Sequence, residues 1–209
     1  MKVLLLHGWP LDERMWSSQV SVLREAGHEP VAPSLYGRGP SINGWAAQLV
    51  GEVAGPFVAV GLSMGGYCAL ALARRASERV PGVVLASSRA DADSEVRRRF
   101  RNEQIATLRT QGVPAELETE VAAEDLAVAQ EAMRDRPDAS DTVRAFGGPL
   151  LVCVGDQDEL VSVAEARAIA DTALLGSLEV FQGAGHFLTI EQPDAFNALL
   201  LEFLDTWRT

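Results

Sequence analysis

The feature that most constrains this chain is a serine bracketed by glycines at the end of an apolar strand. Residues 57–60 are uniformly apolar, and Gly61, Ser63 and Gly65 follow in the order Gly-Leu-Ser-Met-Gly. The apolar run is typical of a buried parallel strand, and the segment 67–75 has helical composition. A Gly-x-Ser-x-Gly at such a junction holds the serine hydroxyl exposed on a sharp turn. We expect a side chain in place of either glycine to collide with the neighbouring strand or helix.

Composition narrows the partners of the chain. Its 209 residues fit one domain, and the formal net charge of −11 opposes binding to nucleic acid or to anionic membranes. No segment has the length of a membrane span, and residues 3–6 are predicted to be a core strand, not part of a signal peptide. Cys68 and Cys153 lie in apolar segments, which indicates buried free thiols and a cytoplasmic location. No zinc-type spacing occurs, so neither metal nor cofactor is expected; a monomer and a homodimer both stay open.

Strands and helices alternate along the chain, which predicts a doubly wound, mostly parallel sheet of the α/β class. The predicted strands are residues 3–6, 29–32, 57–61, 83–86, 150–154 and 178–181. The predicted helices of the same region are residues 16–26, 45–53, 64–76, 163–174 and 194–207. Right-handed crossovers then place the carboxyl ends of all strands at one edge, where ligands bind.

The segment 88–147 interrupts this alternation, because it has helical composition and no strand pattern. Its candidate helices are residues 97–110, 114–123 and 124–134. An insertion of this size between two core strands predicts a helical cap over the ligand-binding edge. The predicted organisation is therefore a core of residues 1–87 and 148–209, with residues 88–147 as the cap.

A serine hydroxyl becomes a nucleophile only when a neighbouring base takes its proton. Of the three histidines, His186 lies in a loop directly after the last strand, at the same edge as Ser63, and is the predicted base. His28 precedes the second strand, at the opposite edge, and is predicted to be a solvated turn residue. His7 follows the first strand, where a role in organising the loop is favoured over a role as base.

The base needs an acid that orients it, and that acid is expected at the end of a strand between the serine and the histidine. Asp156 and Asp158 both follow the strand 150–154. Asp158 is favoured because its position lets the carboxylate turn back toward the histidine loop, which leaves Asp156 as a turn residue. Asp91 and Asp93, beyond the preceding strand, are weaker candidates.

Chemistry at a carbonyl carbon also needs donors aimed at the developing oxyanion. One predicted donor is the backbone N–H of Met64, which follows Ser63 at the positive end of a helix. The other predicted donor is the backbone N–H of Trp9, in the loop after the first strand, since Pro10 has no N–H to give.

With these motifs in order, nearly the whole chain resembles a small, capped α/β-hydrolase. The matching segments are the oxyanion loop 7–9, the nucleophile turn 61–66, the acid turn 155–158 and the base loop 183–186. The resemblance implies a Ser-Asp-His site. Because the given sequence starts at the strand before the oxyanion loop, we expect it to lack the two leading strands of many relatives, which leaves about six. Ser34 departs from it, because many relatives have aspartate there; this alters bonding within the loop, not catalysis.

The segment 87–93 and the start of the cap are more narrowly similar to 3-oxoadipate enol-lactonase-like hydrolases, which implies a lactone or small ester, with a carboxylate as one option. The four arginines of the segment 97–101 could meet such an anion, although a solvated helix face is the favoured interpretation. Leu35, Tyr36 and Phe187 are candidate pocket residues that could equally pack in the core.

Three functions are compatible with this sequence. The favoured one is a serine hydrolase that cleaves a carboxylic ester or lactone through an acyl-enzyme. The second keeps the same site for lyase or acyltransferase chemistry, since a fold does not fix a reaction. The third, disfavoured by the complete serine motif, is a ligand-binding receptor on a hydrolase scaffold.

Overall fold

The computed structural model describes residues 1–206 and places six strands of that region in one parallel sheet. The sheet order is β2-β1-β3-β4-β5-β6. The strands are β1 (Lys2–Leu6), β2 (Glu29–Val31), β3 (Val58–Leu62), β4 (Val83–Ala86), β5 (Pro149–Gly155) and β6 (Leu175–Phe181). Every pair of neighbouring strands is parallel, so the predicted α/β class and doubly wound sheet are confirmed.

Helices cover both faces of the sheet, and three short 3₁₀ turns occur at Glu13–Trp16, Ser77–Arg79 and Ala115–Leu117. The helices are α1 (Ser17–Glu25), α2 (Ile42–Glu52), α3 (Met64–Arg75), α4 (Glu95–Gln111), α5 (Ala123–Arg134), α6 (Ser140–Ala145), α7 (Val163–Thr172), α8 (Leu188–Glu191) and α9 (Pro193–Asp205). No helix within residues 1–206 combines the length and apolar character that crossing a bilayer requires.

Two apolar cores lie on opposite faces of the sheet. Leu4 and Leu6 of β1 pack with α2, α3 and α7 on one face. Val3 and Leu5 pack with α1 and α9 on the other. Because successive strand residues point to opposite faces and both faces are covered, the inner strands β1, β3, β4 and β5 are almost continuous apolar runs. The edge strands β2 and β6 are not. A third cluster joins α4 to α5 and gives the cap helices their own small core.

Several boundaries differ from the sequence prediction. Strand β6 begins at Leu175 rather than at 178, because its first residues are exposed at the edge of the sheet and carry no apolar pattern. The predicted helix 114–123 is wrong: the chain there forms only the 3₁₀ turn Ala115–Leu117. Helix α6 was not predicted, since Val143 is the one buried residue of its six. The predicted end of the last helix, residue 207, lies outside the described residues.

The parallel sheet brings five connections to one edge, which is where the candidate site lies. They follow β1, β3, β4, β5 and β6 and contain the predicted oxyanion loop, serine, cap, acid and base. Away from this edge, Cys68 and Cys153 are buried free thiols, as predicted. Burial raises the pKa of the Cys68 thiol to about 12, so it stays protonated.

Candidate active site

The turn at Ser63 has the strained geometry that the glycine pattern predicts. Ser63 has φ 50° and ψ −110°, outside the regions that L-residues favour. A Cβ on Gly65 would overlap the backbone carbonyl of Leu6, and one on Gly61 would overlap the backbone of Gly65. The expected steric need for both glycines is confirmed. Close approach of β1, β3 and α3 holds the strained serine in place.

The three far-separated polar residues meet in one hydrogen-bonded line. The Ser63 hydroxyl lies 2.9 Å from Nε2 of His186. The other ring nitrogen, Nδ1, lies 3.0 Å from both carboxylate oxygens of Asp158. The Asp158 side chain is 0% exposed and that of His186 is 13% exposed. An imidazole held in this way keeps its proton on Nδ1 and turns an unprotonated Nε2 toward the hydroxyl.

Asp158 is anchored by its own loop as well as by the histidine. The backbone N–H groups of Leu160 and Val161 donate to its Oδ1 at 2.8 and 3.0 Å. Burial raises the pKa of Asp158, but the hydrogen bond from His186 and these two amides outweigh it, so the pKa lies below the usual value. The carboxylate is therefore ionised and fixed beside the imidazole.

Two further carboxylates shape the loop that carries His186. Oδ1 of Asp156 accepts a hydrogen bond from the N–H of Gly183 at 2.6 Å. Asp156 is thus a turn residue, as predicted. Glu191 accepts from the N–H groups of Gly185 and Phe187 at 2.6 and 2.9 Å, on either side of the histidine. Sequence reasoning missed Glu191; its place in the short helix after the loop was the only available signal.

The two backbone amides predicted as oxyanion donors have no hydrogen-bond acceptor within the described part of the protein. Met64 is the first residue of α3, so its N–H has no carbonyl one helical turn earlier to bond to. Within residues 1–206 the N–H of Trp9 likewise donates to no protein acceptor. The Trp9 side chain lines the same cavity as Ser63, and its indole Nε1 donates to the carbonyl of Leu126 in α5 at 3.2 Å. This bond links the predicted oxyanion loop to the cap.

The other two histidines are structural. Nε2 of His7 accepts from the N–H of Leu35 at 2.9 Å, and Nδ1 lies 3.2 Å from the carbonyl oxygen of Gly8. Burial lowers the pKa of His7, which favours the neutral ring that accepts this bond. The bond to Leu35 agrees with the predicted role of His7 in organising the loop. The prediction that His28 is solvated is wrong, because its side chain is buried where the chain enters β2.

A cavity of about 510 Å³ opens over Ser63 and His186. Its walls come from the loop after β1, α3, the segment after β4, α4, α5 and the loops after β5 and β6. Besides those two residues, it is lined by Trp9, Tyr67, Arg89, Arg97, Phe100, Arg101, Gln104, Gln130, Met133, Glu159, Leu160 and Val161. The cap helices therefore supply much of the surface that a substrate touches.

The predicted pocket residues need correction. Leu35, Tyr36 and Phe187 are not part of the lining in the described chain. Leu35 is fully buried in the core. The Tyr36 hydroxyl donates to the carbonyl of Leu11 at 2.9 Å. Phe187 packs against the core formed with α1 and α9, and its ring makes a T-shaped pair with that of His186. All three lie in loops at the carboxyl edge of the sheet, but their side chains pack against the protein, which sequence alone does not reveal.

This arrangement is that of an α/β-hydrolase fold. It combines the sheet order and the serine turn with a histidine and a carboxylate in loops after two strands. A sequence profile of the alpha/beta hydrolase family matches residues 3–199. The chain belongs to this family.

Relatives agree with that assignment. A solved thermophilic esterase from Thermogutta terrifontis is 28% identical with a TM-score of 0.90, over 100% of this chain and 91% of the other. An enol-lactonase from Burkholderia xenovorans LB400 is 23% identical with a TM-score of 0.82, over 97% and 90%. A pimeloyl-[acyl-carrier protein] methyl ester esterase from Aromatoleum aromaticum is 38% identical over 89 residues, 40% of this chain and 35% of its own length.

Proposed function

We propose that this protein is a serine hydrolase that cleaves a carboxylic ester or lactone. The observation that carries the proposal is the line from the Ser63 hydroxyl through His186 to Asp158, with distances of 2.9 and 3.0 Å. A hydroxyl so placed can lose its proton to the imidazole as it attacks, and the carboxylate stabilises the imidazolium that forms.

In the first half of the reaction, Oγ of Ser63 bonds to the substrate carbonyl carbon while its proton passes to Nε2 of His186. The carbonyl oxygen becomes an oxyanion, which the N–H groups of Trp9 and Met64 stabilise. When the intermediate collapses, the bond to the alcohol oxygen breaks and His186 gives the proton to that oxygen. An ester loses its alcohol, whereas a lactone keeps the oxygen within the acyl chain.

In the second half, a water molecule gives a proton to His186 and attacks the acyl carbon. The bond to Ser63 breaks, the serine regains its proton, and the carboxylic acid leaves. The similarity to an esterase over the full chain and to a methyl ester esterase over 89 residues supports this reaction over lyase chemistry at the same site.

The decisive experiment compares wild type, Ser63→Ala and Ser21→Ala with short p-nitrophenyl esters and a fluorophosphonate probe. We expect Ser63→Ala to lose about 10⁴-fold or more in kcat and all labelling. Ser21 lies on the solvent-exposed side of α1, so Ser21→Ala should change neither the turnover nor the labelling. Turnover by Ser63→Ala equal to that of wild type would remove Ser63 from the mechanism. Product acid without ¹⁸O from labelled water would favour a non-hydrolytic reaction.

A further inference from the structure

The cap wall of the cavity holds a buried cluster with more positive than negative groups. Asp93 is 0% exposed, and both of its oxygens accept from guanidinium groups: Oδ1 from Arg136 at 2.6 Å and Oδ2 from Arg101. Burial raises the pKa of Asp93, but the two arginines outweigh it and hold the pKa below its usual value. Two cations therefore face one anion, which leaves one positive charge uncompensated.

That charge is available at Arg101 rather than at Arg136. The Arg136 side chain is 3% exposed, and its Cζ lies 3.9 Å from the centre of the Tyr67 ring. Its guanidinium also donates to the backbone carbonyls of Met133 and Asp91. The Arg101 side chain is 14% exposed and lines the cavity. In the described chain its Nη2 donates no hydrogen bond to protein, since Nε and Nη1 make its polar bonds.

A second donor beside Arg101 follows from the direction of the hydrogen bonds. Arg101 can only donate, so the Gln130 atom that it meets at 2.7 Å is the carbonyl oxygen Oε1. The Gln130 amide nitrogen then donates to Oε1 of Gln104 at 2.6 Å. This fixes both carboxamides and leaves the Gln104 amide nitrogen as a donor at the cavity wall.

The neighbouring charges do not cancel this site. Arg89 and Arg97 also line the cavity, but they pair with Glu165 and Asp91, two cations with two anions. Glu159 is the one acidic residue of the lining within residues 1–206, and it is exposed, so water screens it. The remaining N–H groups of Arg101 Nη2 and of the Gln104 amide are donors whose neighbouring acceptors are already bonded, and a cationic donor beside a neutral one suits a carboxylate.

Resting on the proposed hydrolase activity, we propose that the substrate is an ester or lactone with a free carboxylate, bound by Arg101 and Gln104. Phe100, Met133 and Leu160 supply the apolar surface for the carbon chain that separates the carboxylate from the reacting carbonyl. The favoured prediction of a solvated face is wrong for Arg97 and Arg101, which line the cavity. Arg98 does fit it, because it pairs with exposed Asp135.

Two matched pairs of substrates test the proposal and locate the carboxylate. Monomethyl esters of straight-chain dicarboxylic acids, compared with their dimethyl esters, place the charge on the acyl side. The second pair consists of acetate esters of hydroxy acids. A preference for the acetate of the free hydroxy acid over that of its carboxylic methyl ester would place the carboxylate on the alcohol side. We expect one pair to show a preference for the charged ester of about 10- to 100-fold in kcat/KM, the range for a hydrogen-bonded charge pair.

Variants then assign the preference to these residues. Arg101→Met should lower the ratio of charged to neutral kcat/KM by about 10- to 100-fold. Gln104→Met, which leaves every ion pair intact, should lower it by about 3- to 10-fold. Arg98→Gln, which changes an arginine of the same helix that does not line the cavity in the described chain, should leave it unchanged. No preference in either pair, or a preference that survives both cavity variants, would overturn the proposal.

Binding separates this proposal from the hydrolase assignment. Calorimetry of free dicarboxylates with Ser63→Ala should give a Kd that rises about 10-fold or more with Arg101→Met added. Weak binding with a Kd that Arg101→Met does not change would refute the carboxylate site, even if the protein is an active hydrolase. If binding depends on Arg101 but the wild-type protein hydrolyses none of these esters, only the hydrolase assignment is refuted.

Discussion

The two sides of the cavity are held by different forces. On the sheet side, Ser63 is fixed by backbone against backbone, and two glycines leave no room for a side chain. On the cap side, Arg101 is fixed by side-chain ion pairs and amides that join α4 to α5. Close packing of backbone permits one arrangement of the reacting groups, whereas ion pairs can be exchanged to suit another substrate. The sheet side therefore holds the proposed reacting groups, and the cap side holds the proposed determinants of specificity.

The largest expected effect tests the sheet side. Asp158→Asn keeps the shape of the side chain but removes the charge beside His186, and an amide can stabilise the wrong tautomer of the ring. We expect kcat to fall about 10⁴-fold, with little change in KM. Asp156→Asn is the matched control, because it alters the same loop without touching the imidazole. It should lower kcat by less than about tenfold. Equal losses would show that loop shape, not the charge, matters.

The next effect tests the cap side. Asp93→Asn leaves Arg101 and Arg136 without their anion and should lower the free energy of unfolding at pH 7 by roughly 3–5 kcal/mol. Because the pKa of Asp93 is depressed in the folded state, its stabilisation is complete above the unfolded pKa of about 3.9. It is lost as the pH falls through the lower folded value. Urea unfolding curves of variant and wild type should therefore converge under acid.

Exposed cap carboxylates offer the control for that measurement. Asp135 pairs with Arg98 and Arg134 at the surface. Asp135→Asn should change the free energy of unfolding by less than about 1 kcal/mol, since exposed ion pairs contribute little. If both variants behave alike, the buried charges do not hold the cap.

A steric test sharpens the sheet side. Gly65→Ala should lower the free energy of unfolding by about 3 kcal/mol, because the added Cβ overlaps the carbonyl of Leu6. Gly51→Ala in α2 is the matched control, since its Cβ would meet nothing within 4 Å. That change should stabilise the protein by about 0.5–1 kcal/mol. Thermal unfolding of the pair measures the contrast; similar shifts would contradict it.

The smallest effect concerns the contact between the two sides. Trp9→Phe keeps the backbone N–H that we propose as an oxyanion donor but removes the indole bond to the carbonyl of Leu126. We expect transition-state stabilisation to fall by about 1 kcal/mol, which corresponds to an approximately fivefold lower kcat/KM. A loss as large as that of Asp158→Asn would mean that the cap controls the reacting groups directly.

The chemistry of the sheet edge was predictable because its signals are local. Ser63, Asp158 and His186 each lie within a few residues of the end of a strand. In a parallel sheet these ends must meet at one edge. The pocket was not predictable from Leu35, Tyr36 and Phe187, because the rotation of a loop side chain depends on which apolar space lies beside it.

The sheet, the strained turn and the three polar side chains that meet at its edge could all be predicted from the sequence, because steric limits on the backbone act within a few residues. Which arginines of α4 face inward depended instead on the packing of the folded chain. Arg101 lies in the cavity because Asp93 and Gln130, distant in the chain, accept its hydrogen bonds. Burying a charge is favourable only where such partners converge, and that convergence is a property of the fold as a whole.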